Sequence, residues 1–396
     1  MTCFVDFIRI KQRHAGVFDA ETLEMKPALP LVDSGLVGKW GRDAETGNLN
    51  EDPEWGTASK LHIRGSFDSL VIVRCDGYTV ELEGNVGRLD RPDNVFNLDW
   101  EGTLAKCNEI LAGFDLPPFT PGEKDLNLNP SEYDYKHGNC GYWTGASVSE
   151  IHLTRNYHTG SMANAQCAID WLSTQSLKNI KRGKGGPTSV VWGSKKGRKL
   201  ITAYLKAPEM LAPGHKHGRK TETIKNDPVY QYCTQSGLLR LELKAQRLML
   251  RDKDLRFIGD ITMGKLIQLF DSEIDPLLNR TREDITRLDL DAIPSPFCMT
   301  AAAFLRGENV KTLLSNGSFY RHAKKLREYG IDIAEPLASL QKFTSVIKVV
   351  ELTAAIQPPR WYWNHQQQLS TVQAANDYST TFAAIDAYEP QLMMAN

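Results

Sequence analysis

Residues 188–206, TSVVWGSKKGRKLITAYLK, read as two alternating strands joined by a basic turn. In the second strand Leu200, Thr202, Tyr204 and Lys206 fall on one face, because strand side chains repeat every two residues. A phenol and an ammonium then point the same way, just past a turn crowded with cations. Such a pair suits a phenolate attacking a phosphodiester, with the ammonium stabilising the charge that develops. An ordinary surface hairpin has the same spacing, so the pair acquires meaning only in company.

Glu150-Ile151-His152 supplies a second group. Two residues apart on a strand, the carboxylate and the imidazole converge on one side while Ile151 anchors the other. Glu242, in LRLELKA, shares a polar face with Arg240 and Lys244, where a salt-bridged surface glutamate is the plain alternative. Asp6, in CFVDFIRI, falls by alternation with Phe4, Ile8 and Ile10. A carboxylate on an apolar face needs a donor, a cation or a metal, since burying it alone is costly. A structural carboxylate meets that description as well as a ligand does. Three separate strands thus each present an acid or a histidine, as a shared site for Mg²⁺ or Mn²⁺ built across a sheet requires. His215-Lys216-His217 lies in a Gly/Pro loop that fixes neither imidazole, and reads as a basic loop near nucleic acid.

Cations are unevenly placed although the net charge is only −1. Lys178, Lys181, Arg182, Lys184, Lys195, Lys196, Arg198 and Lys199 occur within 178–199 with no Asp or Glu between them. Interleaved with Gly and beside Trp192, they fit a groove for a phosphate backbone with a stacking platform. A solvated loop is the bland alternative. Residues 311–331, KTLLSNGSFYRHAKKLREYGI, read as a helix, a turn at Asn316-Gly317 and a second helix capped by Ser318. That helix shows Tyr320, Arg321, Lys324, Lys325 and Arg327, the outline of a helix-turn-helix able to enter a major groove. A charged αα-hairpin has the same outline.

The elements that must hold these groups follow from periodicity. Residues 3–10 alternate as a strand, residues 20–58 form a Gly/Pro-rich irregular insertion, and SKLHIRGSF, SLVIVRC and YTVELEGN make an antiparallel meander. Residues 102–114 have helical spacing, 115–145 are loop-rich, 146–157 alternate again, and 162–175 are helical. Residues 207–227 read as a polar loop, 236–250 as a strand drifting into helix, and 262–270 as a helix. The expected fold is α+β, an antiparallel sheet with flanking helices, over residues 1–270. A linker at 271–299 leads to a mainly helical C-terminal domain at 300–396, whose tail beyond Pro358-Pro359 is expected to be partly disordered. A chain of 396 residues is long enough for two or three domains. Seven scattered cysteines without a CxxC pair fit reduced thiols in a cytoplasm and give no zinc site. No signal peptide and no bilayer-spanning segment is evident, so no membrane role is expected.

The order EIH on a strand, a helix, the hairpin WGSKKGRKLITAYLK and then GLLRLELKAQ resembles the replication initiators of filamentous phages, the gene II class. FVDF and GNVGRLDRPDNVF (84–96) are similar to initiators of this group too. The resemblance spans about residues 1–270 and is most specific over 146–250. It implies a rolling-circle nuclease of the HUH kind, which pairs a metal-binding motif with a nucleophilic tyrosine. By position Tyr204 would be the nucleophile, Lys206 its basic companion, Glu150 and His152 the metal-motif strand, and Asp6 and Glu242 further ligands of Mg²⁺ or Mn²⁺. The chain departs from the HUH pattern in having Glu where the first His would stand, Tyr-x-Lys rather than Tyr-x-x-Lys, and no second tyrosine a turn later. The implied partners are single-stranded and origin duplex DNA, with a host helicase and polymerase, in the bacterial cytoplasm. A non-catalytic DNA-binding regulator is the rival reading. A conjugative relaxase is a weaker one, lacking here the longer His-rich motif it would carry.

Overall fold

The computed structural model describes residues 3–33, 35–39, 41, 54–57, 60–126, 131–136, 141–177, 180–183, 185–216, 219–284, 293–329, 331–334, 353–354 and 358–370. The alternating runs become strands β1 (Phe4–Arg13), β2 (Leu61–Gly65), β3 (Ser69–Asp76), β4 (Thr79–Gly84), β5 (Ser147–His158), β6 (Ser189–Gly193), β7 (Lys199–Leu205) and β8 (Leu238–Gln246). They form one antiparallel sheet in the order β6-β7-β8-β5-β1-β4-β3, with β2 and Leu31–Val32 also on β3 and Thr353–Ala354 on β5.

Alternation sends one set of side chains to each face. Ile8, Ile10, Val73, Leu82, Val148, Ile151, Ile201, Ala203, Leu241 and Leu243 are buried on the inner face. Helices α1 (Trp100–Ala112), α2 (Met162–Leu172) and α7 (Met263–Asp284) contribute Cys107, Leu111, Ala168, Ile169, Leu266, Phe270 and Ile274 to the same core. Each such aliphatic side chain gains about 1.5–3 kcal/mol by leaving water, which fixes the register. The opposite face carries the polar set, and one end of it is roofed. The roof is made of α3 (Lys206–Leu211), α4 (Thr221–Asn226), α5 (Pro228–Gln235) and a segment at 358–370, sharing Val95, Phe96, Met210, Val229, Cys233 and Tyr362. After β8 runs α6 (Arg247–Asp252).

Two bulges re-aim side chains. Asp6 is skipped in the pairing of β1 with β5, between Val5 opposite Leu153 and Phe7 opposite His152. An extra residue breaks alternation locally, so Asp6 leaves the apolar face on which simple alternation placed it. Ser149 is the second extra residue, between Ile10 opposite Val148 and Arg9 opposite Glu150.

Several loop expectations change. Within the 20–58 insertion, Glu24–Lys26 pairs with the preceding Val17–Asp19 and Leu36–Lys39 pairs with Glu54–Thr57; residues 42–53 lie outside the described set. Residues 207–227 are largely short helices rather than loop, because Ala207, Met210 and Ile224 are buried. The expected linker begins inside α7, which runs on to Asp284. Beyond it, α8 (Phe297–Leu305), α9 (Val310–Leu313) and α10 (Asn316–Glu328) pack around Phe304, Val310, Phe319, Ala323 and Leu326. Residues 335–352 and 371–396 of the expected helical domain and tail lie outside the described residues. Of the expected partly disordered tail, 358–370 is described: it is helical from 362 and holds Tyr362 fully buried.

Candidate functional site

Cross-strand register places the polar groups of the outward face in rows. Glu150 of β5 lies opposite Arg9, and His152 opposite Phe7 and Lys244. Thr154 lies opposite Glu242, which faces Thr202; Asn156 lies opposite Arg240, which faces Tyr204. Tyr204, Glu150, His152 and Glu242 therefore share one face, as the strand spacing required.

His152 is the hub of the first cluster. Its Nε2 is 2.9 Å from Glu150 Oε1, its Nδ1 3.0 Å from Glu242 Oε1, and its ring stacks on Phe7 with centroids 4.7 Å apart. Lys244 also pairs with Glu150, and Arg9 lies 3.3 Å from the other oxygen. Burial works to raise the Glu150 carboxyl, but the contacts from His152 and Lys244 outweigh it and hold it at about 2. Burial likewise opposes charge on His152, yet its two carboxylate partners leave the imidazole raised above its ordinary value. Burial opposes the Glu242 charge too, and His152 overrides it, so that carboxyl is lowered.

The second cluster lies under the roof. Asp6 accepts from Asn85 Nδ2 at 2.9 Å, Asn97 Nδ2 at 3.1 Å and Asn94 Nδ2 at 2.8 Å, with Arg240 Nη1 at 3.7 Å. Arg240, fully buried, donates from Nε to Asn156 Oδ1 at 2.9 Å and from Nη2 to the carbonyls of Asn94 and Val95. It stands directly opposite Tyr204 on the neighbouring strand, and the charges of Tyr204 and Asp6 favour its charged form against the cost of burial. Tyr204 itself is half-buried. Desolvation pushes its phenol well above the ordinary value; Arg240 pulls it down, while Glu209, Glu242 and Asp6 add to the rise.

Lys206 is not a strand residue. It opens α3, and its buried Nζ donates to Asn94 Oδ1 at 2.7 Å and pairs with Glu209 at 2.7 Å. The strand ends one residue earlier, so the two-residue repeat no longer places Lys206 beside Tyr204. The cation opposite the phenol is Arg240, whose charge pulls the phenol down and which the sequence alone did not single out. Its signal was an arginine within the apolar run GLLRLEL, which demands a buried partner. Asn94 ties the pieces together, touching both Asp6 and Lys206.

Two carboxylates and an imidazole are donors of the kind that hold Mg²⁺ or Mn²⁺, so the residue types of Glu150, His152 and Glu242 fit such an ion. Their arrangement is that of an ion-pair cluster. Both His152 nitrogens are engaged by carboxylates, and among the described residues no three His, Cys, Asp or Glu side chains are disposed to hold a metal. Asp6 is not brought to this trio; its oxygens are taken by amides.

With this geometry in place, comparison with known proteins is informative. Residues 139–264 match the N-terminal model of the gene II class of replication-associated proteins, and residues 297–368 match the C-terminal model of the same class. Together the two matches cover half of the chain. The chain belongs to the gene II family of replication-associated proteins. The N-terminal match contains Glu150, His152, Tyr204, Lys206, Arg240 and Glu242, but not Asp6. The replication-associated protein of this class from Enterobacteria phage I2-2 is 27% identical over 343 residues, spanning 83% of this chain and 92% of that protein. A solved rolling circle replication initiator protein from Geobacillus stearothermophilus is 11% identical. It covers 69% of this chain and 84% of its own with a TM-score of 0.26, and at that score it adds nothing to the assignment.

The residues expected to bind DNA divide sharply. Lys195 and Lys196 are exposed on the β6–β7 turn, and Lys181 is exposed nearby. Arg198 pairs with Asp252 and Lys199 with Glu273, so the fold supplies counter-charges that the local sequence lacks. These groups line a cavity of about 740 Å³ with Lys253 and Ser194. Trp192 is fully buried and its Nε1 donates to Gln175 O at 3.1 Å, which removes the stacking platform. Arg182 is also buried, reaching Asp332 O at 3.3 Å. Lys178 and Lys184 lie outside the described residues. In α10, Tyr320, Arg321 and Lys324 are exposed, whereas Lys325 pairs with Glu328 at 2.7 Å and Arg327 with Asp332 at 3.3 Å. The helix starts at Asn316 with Ser315 as its cap, three residues before the expected one, because the Ser315 hydroxyl accepts from Ser318 N. No described helix is long and apolar enough to cross a membrane.

Proposed function

We propose that this protein is a site- and strand-specific DNA endonuclease and strand-transferase that starts and ends rolling-circle replication at a phage origin. The observation that carries the reading is Tyr204, directly across the strand pair from a buried Arg240 and on the same sheet face as Glu150, His152 and Glu242. Membership of a replication-associated family supplies the biological setting.

In this reading the Tyr204 oxygen attacks phosphorus in line. Its bond to phosphorus forms as the bond to the 3′-oxygen breaks, leaving a 5′-phosphotyrosine and a free 3′-hydroxyl for a polymerase to extend. The phenol rests protonated; it gives up its proton as it attacks and the departing 3′-oxygen takes one up, so the exchange is balanced overall. Arg240 is the fixed charge that favours the phenolate, at no reorganisation cost. Lys206 acts at one remove, holding Asn94 against Asp6. A Mg²⁺ or Mn²⁺ held by Glu150, His152 and Glu242 would polarise the scissile phosphate. Lys181, Lys195 and Lys196 grip the displaced single strand, and the Tyr320, Arg321 and Lys324 face of α10 meets the duplex origin or a host helicase.

The test is a labelled origin oligonucleotide incubated with the protein and Mn²⁺ or Mg²⁺. A covalent adduct is expected with wild type and none with Tyr204→Phe. Cleavage unchanged in that variant overturns the mechanism, and no cleavage by wild type favours the non-catalytic regulator.

A further inference from the structure

On the outward face, beyond Glu150 from Tyr204, lies a cavity of about 180 Å³. Arg9 and Lys11 of β1, Arg74 of β3, Lys60 before β2, Arg247 at the start of α6 and Arg256 after it all line it. The acids in its wall are Glu81 and Glu83 of β4, and Ser147 and Ser149 add hydroxyls. Register explains the gathering: Arg9 stands opposite Glu83, and Lys11 and Arg74 both flank Glu81. Glu83 is already engaged by Arg9 at 2.6 Å and Lys60 at 3.3 Å. Six cations against two carboxylates leave the concavity strongly positive, and low-dielectric walls focus that potential outward.

The cavity is continuous with the candidate site, because Arg9 also reaches Glu150 at 3.3 Å. Four strand spacings separate β7 from β4, roughly 19 Å at about 4.8 Å each. A single strand of DNA laid across the sheet covers that distance in a few nucleotides. Volume and charge suit a phosphate rather than a base, and no aromatic ring lines the wall for stacking.

We propose that this cavity is a backbone-phosphate subsite for single-stranded DNA, a few nucleotides from the phosphodiester at Tyr204. The inference rests on the reading of Tyr204 as the site of strand transfer and gives that site a direction across the sheet.

The experiment uses the full chain in a Tyr204→Phe background, so that binding is read without cleavage. Anisotropy of a labelled oligothymidylate is measured across a salt series, with Lys11→Ala plus Arg74→Ala as the test variant. Expected are about tenfold weaker binding at low salt and a slope of log K against log salt shallower by about 1.4, at about 0.7 per phosphate contact on a single strand. Lys11→Arg plus Arg74→Lys, which keeps both charges, should restore the slope. Wild-type affinity and slope in the alanine variant overturn the subsite. So does displacement of the oligonucleotide by millimolar inorganic phosphate, which would mark a small-anion pocket. The nicking assay is independent: its failure with intact binding at this cavity removes the nuclease reading alone.

Discussion

Tyr204 and Arg240 stand opposite each other on β7 and β8, and the positive charge of a guanidinium that is itself fully buried acts on the phenol. Arg240 is held from three sides, by the Asn156 side chain, by the Asn94 and Val95 carbonyls, and by the Asp6 carboxylate. The cation facing Tyr204 is therefore a rigid part of the fold rather than a flexible surface lysine. A planar fork with several fixed acceptors cannot be replaced by an ammonium without losing contacts.

Arg240→Gln should therefore damage both stability and chemistry. Removing the charge leaves Asp6 paired only with amides and strands two buried carbonyls, at a cost of about 3–5 kcal/mol. Urea unfolding measures that loss. Where the variant is kept folded at low temperature, the single-turnover rate of adduct formation should fall by about a hundredfold or more. A wild-type rate in folded Arg240→Gln would leave the phenol without this cation's help.

Glu150 makes stability depend on acid. Its folded value of about 2 lies below the ordinary glutamate value of 4.5. A depressed carboxyl contributes stability above its unfolded value, and the contribution is lost as pH falls through the folded one. The stabilisation should be complete above about pH 4.5 and disappear towards pH 2, with a size of order a few kcal/mol. His152, raised above 6.5, works the other way: its share is present below 6.5 and is lost as pH rises through the folded value. Thermal melts of wild type and Glu150→Gln from pH 7 to pH 2.5 check this. The difference should be largest near pH 5 and shrink towards acid; a constant difference contradicts the linkage.

The strands were legible in the sequence because a half-buried sheet enforces a period of two over long runs. Tyr204, Glu150, His152 and Glu242 reached one face for that reason. Asp6 and Lys206 did not follow, since alternation holds only while the strand does: Asp6 is the extra residue of a bulge, and Lys206 already belongs to a helix. Trp192 failed differently. Its neighbours made it look like a stacking platform, but alternation of Val190, Trp192 and the turn put the indole inward. The counter-charges Asp252 and Glu273 are more than 50 residues from Arg198 and Lys199 in the chain, beyond any local pattern. Family resemblance is what singled out Tyr204 as the proposed nucleophile, where spacing gave only a compatible pair.

Lys195 and Lys196, exposed at the β6–β7 turn, are the cations of the basic run best placed to meet DNA. Lys195→Ala with Lys196→Ala should weaken single-strand binding and reduce the salt slope by about 1.4, with little change in melting temperature. Anisotropy titrations across salt give both quantities. An unchanged slope removes the turn from the DNA path, and would leave the strand on the other side of Glu150.

Tyr362 joins the C-terminal segment to the loop that seats Arg240. Its hydroxyl donates to Asp93 Oδ1 at 2.7 Å and accepts from Arg91 Nη2 at 2.8 Å, while Gln366 Nε2 donates to Asp93 Oδ2 at 2.7 Å. One residue on, Asn94 contacts Asp6 and Lys206, and the carbonyls of Asn94 and Val95 hold Arg240. Burial alone would raise the Asp93 carboxyl, but Arg91 and the Tyr362 hydroxyl lower it, so the carboxylate depends on this tyrosine. Tyr362→Phe keeps the ring and removes the hydroxyl, leaving a buried carboxylate short of a donor at about 1–3 kcal/mol. Urea unfolding should register that loss. Because the disturbed loop also seats Arg240, adduct formation should slow while affinity for an oligothymidylate stays within about twofold. Stability and rate both at wild-type values would mean that the 93–97 loop keeps its shape without the C-terminal segment.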